Sequence, residues 1–339
     1  MSCLCKENKV LYSMLKKFLF KMDEESKNHM ILNKLKKILG TPFGFLVKQS
    51  VPLKTVKCMG LSFKNPVGLS PGMDYNAEYI DLFGSLGFGF IEVGTVTPKP
   101  KIGNLKPRIF AIKKAKSLIS RIGYENKGID FVIENIKKSS FNGIIGINIA
   151  SNENQDIESI IKDHLLCIEK SYPIVGYISI NIPSVFLSNL ESLKNWIKEI
   201  KNKQKFLKKE KKKYVPIVIK IQPDLTKNTI IKIAENILDF KVDGIIATNS
   251  TKDKNLINGL NFSHQKGTIS GKALQIKSTN VIKILKEVLK EEVIIIGSGG
   301  VDSLISAREK IFFGASLVQV CTGFIYKGPK IIKEIVKYI

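Results

Sequence analysis

Short apolar runs rich in isoleucine and valine alternate with longer amphipathic stretches along most of the chain. Eight of these runs are predicted strands buried on both faces: 67–70, 88–94, 144–149, 177–182, 216–221, 243–248, 293–297 and 317–321. The stretches between them are predicted helices: 77–86, 131–139, 157–169, 190–201, 227–238 and 278–289. Alternating strands and helices give parallel strands with right-handed crossovers, and eight such strands close into a barrel. The pattern therefore predicts an α/β fold, a (β/α)8 TIM barrel with an N-terminal helical extension.

The length of the chain agrees with one barrel and an addition at its N-terminus. A β/α barrel takes about 250 residues, and the chain has 339. We assign residues 1–50 to an N-terminal amphipathic helical segment and residues 51–339 to the barrel. The five cysteines are scattered and the three histidines lack the spacing of metal ligands. We therefore expect reduced thiols and no metal.

Two short basic amphipathic helices are predicted in the N-terminal segment, over residues 11–21 and 30–39. In each of them apolar residues recur at helical spacing, with lysines on the opposite side. Such helices pack on a core or lie on an anionic membrane surface, and the residues alone favour packing. No signal-peptide pattern is present and no apolar run approaches the ~20 residues of a membrane span, so the protein is not expected to cross a membrane.

The net charge of +24 raises the question of a nucleic acid or an anionic membrane as a partner. Only three of the 54 basic residues are arginine, namely Arg108, Arg121 and Arg308. A protein dedicated to nucleic acid more often uses arginine, whose planar guanidinium makes paired hydrogen bonds with bases. The abundance of lysine, isoleucine and asparagine is typical of an A/T-rich genome, so no nucleic-acid partner is expected.

Glycine-rich turns follow the last two predicted strands. The strand 293–297 runs into a turn that contains Gly297, Gly299 and Gly300, and the strand 317–321 is followed by Thr322 and Gly323. A single turn of this kind is as often an ordinary connection between a strand and a helix. Two in succession at the end of a barrel favour a phosphate-binding site, because the loops after the last two strands often form one.

The polar residues at the predicted carboxyl ends of the strands are amides, hydroxyls and one lysine, with no carboxylate pair and no histidine. They are Ser70, Asp74, Thr95, Asn148, Asn181, Ser184, Lys220, Thr248, Asn249, Gly300 and Thr322. Such a set suits a planar heterocycle rich in N–H and C=O groups better than metal-assisted hydrolysis. Lys220 follows three apolar residues and points a charge into the barrel mouth. It requires an anion there, such as a reduced flavin or a phosphate.

A series of motifs spans the chain at 65–69, 87–98, 106–108, 146–149, 180–182, 218–220, 245–251, 270–271 and 323–329. In these motifs the chain resembles the dihydroorotate dehydrogenases of the membrane-associated, quinone-using class, from about residue 10 to the C-terminus. The resemblance implies oxidation of dihydroorotate to orotate in UMP biosynthesis, with FMN as hydride acceptor and a membrane quinone as electron acceptor. It also implies that the N-terminal helices meet an anionic membrane, at the cytoplasmic face in a bacterium.

The resemblance also assigns roles to individual residues. Ser184 is the implied base, which removes a proton from C5 of the substrate while a hydride leaves C6, and water or the Thr251 hydroxyl would activate it. The implied FMN contacts are Pro71, Gly72, Met73, Asp74, Tyr75, Thr95, Asn148, Asn181, Lys220, Thr248, Gly271, Gly300, Cys321 and Thr322. The implied substrate contacts are Tyr75, Ser120, Arg121, Ile122, Gly123, Tyr124, Asn181, Phe186, Asn249 and Ser250.

Several of these positions depart from the family pattern, which has a lysine at position 75 and asparagines at positions 120 and 186. This chain has Tyr75, Ser120 and Phe186 instead, and the segment after Asn181 is several residues shorter. Asn189 is a candidate replacement for one lost asparagine. We therefore expect reduced activity, and two alternatives stay open: a degenerate barrel without turnover, and a flavoenzyme acting on RNA such as a dihydrouridine synthase.

Overall fold

The computed structural model of the protein describes residues 24–152 and 156–339. The strands in these ranges are β1 Val56–Cys58, β2 Leu61–Phe63, β3 Val67–Leu69, β4 Phe90–Val96, β5 Ile109–Ile112, β6 Ser117–Ser120, β7 Ile144–Ile149, β8 Tyr177–Asn181, β9 Ile217–Ile221, β10 Gly244–Ala247, β11 Thr268–Gly271, β12 Ile294–Gly297 and β13 Leu317–Val320. The helices are α1 Glu24–Leu39, α2 Ile80–Ser85, α3 Ile129–Lys138, α4 Ile157–Ser171, α5 Ser184–Leu187, α6 Leu190–Lys211, α7 Lys227–Asp239, α8 Gln275–Leu289, α9 Leu304–Phe312, α10 Thr322–Lys327 and α11 Lys330–Tyr338.

Eight parallel strands close into a barrel in the order β3, β4, β7, β8, β9, β10, β12 and β13. The last strand returns to the first, where Val318 pairs with Val67 and Val320 with Leu69. These strands are almost fully buried because helices cover their outer side and side chains fill the interior. The predicted β/α barrel is confirmed, and each of the eight predicted strands is a barrel strand.

Two groups of apolar side chains hold the barrel together. The larger group lies between the strands and the surrounding helices and includes Trp196, Leu285 and Ile335. A second group of seven side chains contains Phe63, Phe90, Tyr177, Val218, Ile246, Ile296 and Leu317. The rings of Phe63 and Phe90 meet edge to face at 5.1 Å. Because side chains fill the interior of such a barrel, ligands bind at the carboxyl ends of its strands.

Helix α1 packs against the barrel instead of standing apart from it. Its residues Ile31, Leu32 and Leu35 are buried in the main core, so the predicted helix 30–39 is confirmed and begins earlier, at Glu24. The side chain of Glu25 accepts hydrogen bonds from Arg108 at 2.6 and 2.9 Å, which ties the start of α1 to the chain next to β5. The other predicted helix, 11–21, lies outside the described residues.

The start of the first predicted helix, 77–86, is wrong. Ala77 has a positive φ of 58°, a conformation outside a right-handed helix, and α2 begins only at Ile80. The hairpin β1–β2 and the antiparallel sheet of β5, β6 and β11 were not predicted from the sequence. Strands β5 and β6 are four residues each, too short for a clear alternation of polar and apolar side chains.

No helix within 24–152 and 156–339 is long and apolar enough to cross a membrane.

Candidate functional site

A cavity of about 660 Å³ opens at the carboxyl ends of the barrel strands. Its floor consists of strand ends and the segments that follow them, such as Ser70 after β3 and Thr248 after β10. One wall is the small antiparallel sheet, which contributes Ile109, Leu118 and Ser270. The cavity is continuous, so the glycine-rich turns and the predicted substrate residues share one space.

Glycine-rich turns line one end of the cavity, as predicted. Gly271, Gly299 and Gly300 have φ values of 100°, 93° and 77°, which residues with a side chain rarely adopt. A Cβ at Gly300 would lie 2.4 Å from the Cα of Gln275, so no larger residue fits. Cys321 and Thr322 also line this end. The turns therefore present bare backbone to whatever occupies the cavity.

Lys220 lies on the floor of the cavity with only 5% of its surface exposed. Its ammonium group makes no hydrogen bond and no ion pair with any residue that the structure describes. Burial lowers the pKa of Lys220, and the nearby negative charge of Glu92 opposes that shift. A buried cation without an acceptor costs free energy, so this side chain calls for an anionic or electron-rich ligand in the cavity.

Glu92 is a buried carboxylate of β4 that the sequence analysis did not assign. It accepts hydrogen bonds from Tyr177 and Ser179 at 2.6 Å each and from Gln319 at 2.5 Å. The amide oxygen of Gln319, Oε1, is buried and accepts no hydrogen bond from any described residue. The sequence contains a signal for this role of Glu92, namely an acidic residue inside a largely apolar strand. A buried carboxylate requires several hydrogen-bond donors around it.

The amides of Asn148 and Asn181 form a connected pair beside Lys220. Thr95 donates to the Oδ1 atom of Asn148 at 2.6 Å, and Asn181 donates to the same atom at 3.2 Å. Asn148 in turn donates to Ser179 at 2.7 Å. These bonds fix both amides on the cavity floor, where amide groups can pair with the N–H and C=O groups of a heterocycle.

Most of the predicted substrate contacts line the same cavity, and so does the predicted base, Ser184. The substrate contacts are Tyr75, Ser120, Arg121, Ile122, Gly123, Tyr124, Asn181, Asn249 and Ser250. Ser184 is the first residue of the one-turn helix α5 and is exposed. Its hydroxyl has no hydrogen-bond partner among the described residues, and Thr251 donates to Asp224 instead. The expected activation of Ser184 by Thr251 is therefore not present in this arrangement.

Three predicted contact residues, Met73, Asp74 and Phe186, lie outside the cavity lining. Asp74 accepts hydrogen bonds from the backbone N–H groups of Glu78 and Tyr79 at 2.8 Å each. Burial raises the pKa of Asp74 to about 6, and these two hydrogen bonds oppose the shift. The carboxylate therefore holds the turn before α2, and Met73 packs against the main core.

Phe186 is fully buried, and its ring stacks on that of Trp196 at 5.4 Å. The Nε1 atom of Trp196 donates to His164 at 3.0 Å. Phe186 thus anchors the short segment after β8 on α6 and does not reach the cavity. Asn189 is not a replacement for the missing asparagine either, because its side chain accepts from Glu191 and Ser192 and caps α6.

The remaining predicted FMN contacts line the cavity: Pro71, Gly72, Tyr75, Thr95, Asn148, Asn181, Lys220, Thr248, Gly271, Gly300, Cys321 and Thr322. Fold and cavity together define a β/α-barrel protein that binds its ligands at the carboxyl ends of the strands. The family model described as Dihydroorotate dehydrogenase matches residues 53–339. The chain belongs to the dihydroorotate dehydrogenase family.

Individual relatives agree with this assignment. A protein from Serratia proteamaculans named dihydroorotate dehydrogenase (quinone) is 50% identical over 334 residues, covering 97% of this chain and 99% of the relative. A protein of the same name from Pectobacterium atrosepticum is 49% identical over 336 residues, covering 97% of this chain and 100% of the relative. The crystal structure of DHODH from Eimeria tenella with ferulenol matches with a TM-score of 0.85 and 28% identity, covering 95% of this chain and 93% of that one.

The family is flavin-dependent, and the residues of this cavity fit a flavin. The ammonium of Lys220 and the bare backbone of the glycine-rich turns supply a cation and N–H donors in one space. The paired amides of Asn148 and Asn181 line the same cavity. A phosphorylated flavin offers the matching groups, namely a phosphate at one end and a ring rich in N–H and C=O groups at the other.

Proposed function

We propose that the protein oxidises dihydroorotate to orotate in pyrimidine biosynthesis, with FMN as its flavin and a quinone as the final electron acceptor. Family membership over nearly the whole chain gives the reaction. The observation that carries the assignment to this cavity is the ammonium of Lys220, which has no partner within 24–152 and 156–339 and lies in the space shared by the glycine-rich turns and Ser184. The bound flavin supplies hydride acceptance, which none of the side chains provides.

The chain's own residues take the remaining roles. Gly271, Gly300 and Thr322 would hold the phosphate of FMN, and the ammonium of Lys220 would stabilise negative charge on the flavin ring. Asn181 and Asn249 orient the pyrimidine amides of the substrate. Ser184 accepts the C5 proton while its own hydroxyl proton passes to water, which can reach the exposed side chain. No described residue makes a hydrogen bond to this hydroxyl, so bound substrate or water must complete its environment.

An anaerobic titration of the purified protein with dihydroorotate tests this function. We expect the visible absorption band of the flavin to be present and to bleach as substrate is added. A band that persists would show that the flavin site exists without the dehydrogenase reaction. Absence of any flavin after reconstitution with FMN would contradict the cofactor as well.

Neither alternative from the sequence is favoured by a feature of the cavity. An RNA-acting flavoenzyme of the dihydrouridine synthase type calls for a cysteine acid near the flavin. Cys167 is fully buried in α4 outside the cavity, and Cys321 lies beside Thr322 at the glycine-rich end. A degenerate barrel that keeps its fold, with or without FMN, but has lost turnover rests on Tyr75, Ser120 and Phe186. The anaerobic titration separates it from an active enzyme, because its flavin would not be reduced by dihydroorotate.

Replacing Tyr75 with lysine is expected to raise the turnover of dihydroorotate. Tyr75 lines the cavity, and burial raises the pKa of its hydroxyl, so the side chain stays neutral. A charged hydrogen bond to the substrate carboxylate contributes about 1.5–3 kcal/mol, which corresponds to roughly a 10- to 100-fold gain in kcat/KM. Steady-state kinetics with a soluble quinone measure this gain. The Tyr75→Phe variant is the control, and equal rates for both variants would contradict the prediction.

We also propose that the protein lies peripherally on the cytoplasmic face of a bacterial membrane. The apolar side of α1 is buried against the barrel, so other residues near α1 must make the contact with lipid. Ile102 and Leu105 are each 90% exposed on the loop before Arg108, and exposed Lys99 and Lys106 flank them. Apolar side chains with basic neighbours suit the surface of an anionic bilayer.

Sedimentation with phosphatidylglycerol vesicles tests the membrane surface. The double variant Ile102→Ser/Leu105→Ser is expected to lower the fraction of protein that sediments with the vesicles, because it removes the exposed apolar side chains. Phe312→Ser is a matched control, since Phe312 is 82% exposed on α9. Equal losses in both variants, or none in either, would remove this loop from the membrane contact.

A further inference from the structure

Lys310 is a fully buried lysine of α9, and it has no part in the catalytic and binding roles described above. It lies directly behind the glycine-rich turn after β12, where a Cβ on Gly297 would be 3.1 Å from the Cβ of Lys310. No carboxylate among the described residues lies within 4.0 Å of its ammonium group. Burial lowers the pKa of Lys310 to about 7, and only the charge of Glu309 opposes the shift.

A short chain of hydrogen bonds joins this ammonium group to the turn. The Nζ atom of Lys310 donates to Ser278 at 2.6 Å and approaches Thr279 at 3.4 Å. The hydroxyl of Ser278 lies 2.7 Å from the carbonyl oxygen of Gly299 and 3.0 Å from that of Gln275. With Lys310 as its donor, Ser278 is left to donate its own proton, and the carbonyl of Gly299 is the nearer acceptor.

The peptide that receives this bond faces the cavity. Gly299 and Gly300 both line the glycine-rich end, and the N–H of Gly300 has no hydrogen-bond partner among the described residues. Hydrogen bonds in series polarise one another, so a cation bonded through Ser278 to the Gly299 carbonyl makes the N–H of the same peptide a stronger donor. An unpaired N–H and a buried cation behind it both favour an anion in front.

We propose that Lys310 is a positioning residue for the phosphate of FMN: through Ser278 it orients and polarises the Gly299–Gly300 peptide toward that phosphate. The inference rests on the proposed function, since FMN is the ligand that brings the phosphate. The folded chain without flavin gains nothing from this charge, because the ammonium group is buried without a carboxylate. Lys310 therefore contributes to phosphate binding at the expense of the stability of the apoprotein.

Comparison of FMN with riboflavin, which lacks the phosphate, tests the proposal. The flavin-free full-length protein is titrated with each flavin while flavin fluorescence is followed. In Lys310→Met, we expect the affinity for FMN to fall about 10- to 100-fold, as for loss of a charge-assisted hydrogen bond, and the affinity for riboflavin to stay unchanged. The melting temperature of the flavin-free variant is expected to equal or exceed that of the original protein.

Ser278→Ala is a second variant that keeps the lysine and breaks the connection. It is expected to weaken FMN binding selectively as well, so a folding defect in Lys310→Met would not decide the outcome. Lys330→Met removes the same charge from an exposed position at the start of α11 and serves as the control. Its affinities for both flavins are expected to match those of the original protein.

The remaining outcomes separate the inference from the proposed function. Equal losses for FMN and riboflavin in Lys310→Met would indicate general damage to packing and would overturn the role of Lys310. If Lys310→Met and Ser278→Ala both kept the original preference for FMN over riboflavin, the role of Lys310 would also be overturned. The proposed function would remain intact. An original protein that does not prefer FMN to riboflavin would overturn the phosphate site and this inference together.

Discussion

Lys220→Met is expected to slow flavin reduction by dihydroorotate at least about 100-fold, the scale seen when one preorganised donor is removed from a catalytic site. The ammonium of Lys220 is buried on the cavity floor and has no acceptor in the part of the chain that the structure describes, so its charge is available to the ligand. A flavin bound here would acquire negative charge when it accepts a hydride, and a cation in a water-poor site would stabilise that charge strongly. Anaerobic stopped-flow measurement of the flavin band gives the rate directly.

The stability of the same variant separates this role from a structural one. Burial of an unpaired cation costs free energy, so replacing Lys220 with methionine is expected to raise the melting temperature of the flavin-free protein. Lys227→Met is the matched control, because Lys227 is an exposed lysine at the start of α7. A slower Lys220→Met variant that is also less stable would indicate that the lysine holds the barrel together instead.

Ser184→Ala is expected to lower kcat for dihydroorotate oxidation by about 10²- to 10⁴-fold, the range typical of a lost general base. FMN affinity is expected to stay the same, because Ser184 follows β8, whereas the glycine-rich turns follow β12 and β13, which β9 and β10 separate from β8 in the barrel. Flavin binding and anaerobic flavin reduction, measured on the same sample, resolve the two effects.

The neighbouring serine of the same short segment provides the control for that experiment. Ser188 is exposed, and its hydroxyl donates to the carbonyl of Val185 at 2.9 Å, outside the cavity. Ser188→Ala is expected to keep its full rate. Comparable rates for both alanine variants would remove Ser184 from the proton transfer and leave water or another side chain as the base.

The barrel itself was predictable from local sequence. Each barrel strand is a short apolar run bounded by polar or glycine residues, so burial on both faces appears in the residues themselves. The small sheet of β5, β6 and β11 was not predictable in this way. Its third strand, β11, pairs Ile269 with Ile119 of β6, which is distant in sequence. The four residues of β11 contain no pattern that predicts this partner.

The candidate site was predictable in part for the same reason. Residues near the carboxyl ends of strands, such as Asn148, Asn181 and Lys220, reach the cavity because their strands are parallel and end at one face of the barrel. Phe186 shows the limit of such reasoning. Its position in the chain, two residues after Ser184, places it beside the cavity, yet its side chain turns to Trp196 because an apolar ring gains more from the core.

The sequence by itself determined the barrel, the glycine-rich turns and the polar residues at the strand ends, because these depend on local composition and on periodicity. Tertiary structure alone decided which buried charges have partners. Glu92 acquires its donors from β8 and β13, whereas Lys220 and Lys310 contact no carboxylate among the described residues. Pairing of buried charges depends on distances between segments far apart in the chain, which no local pattern records.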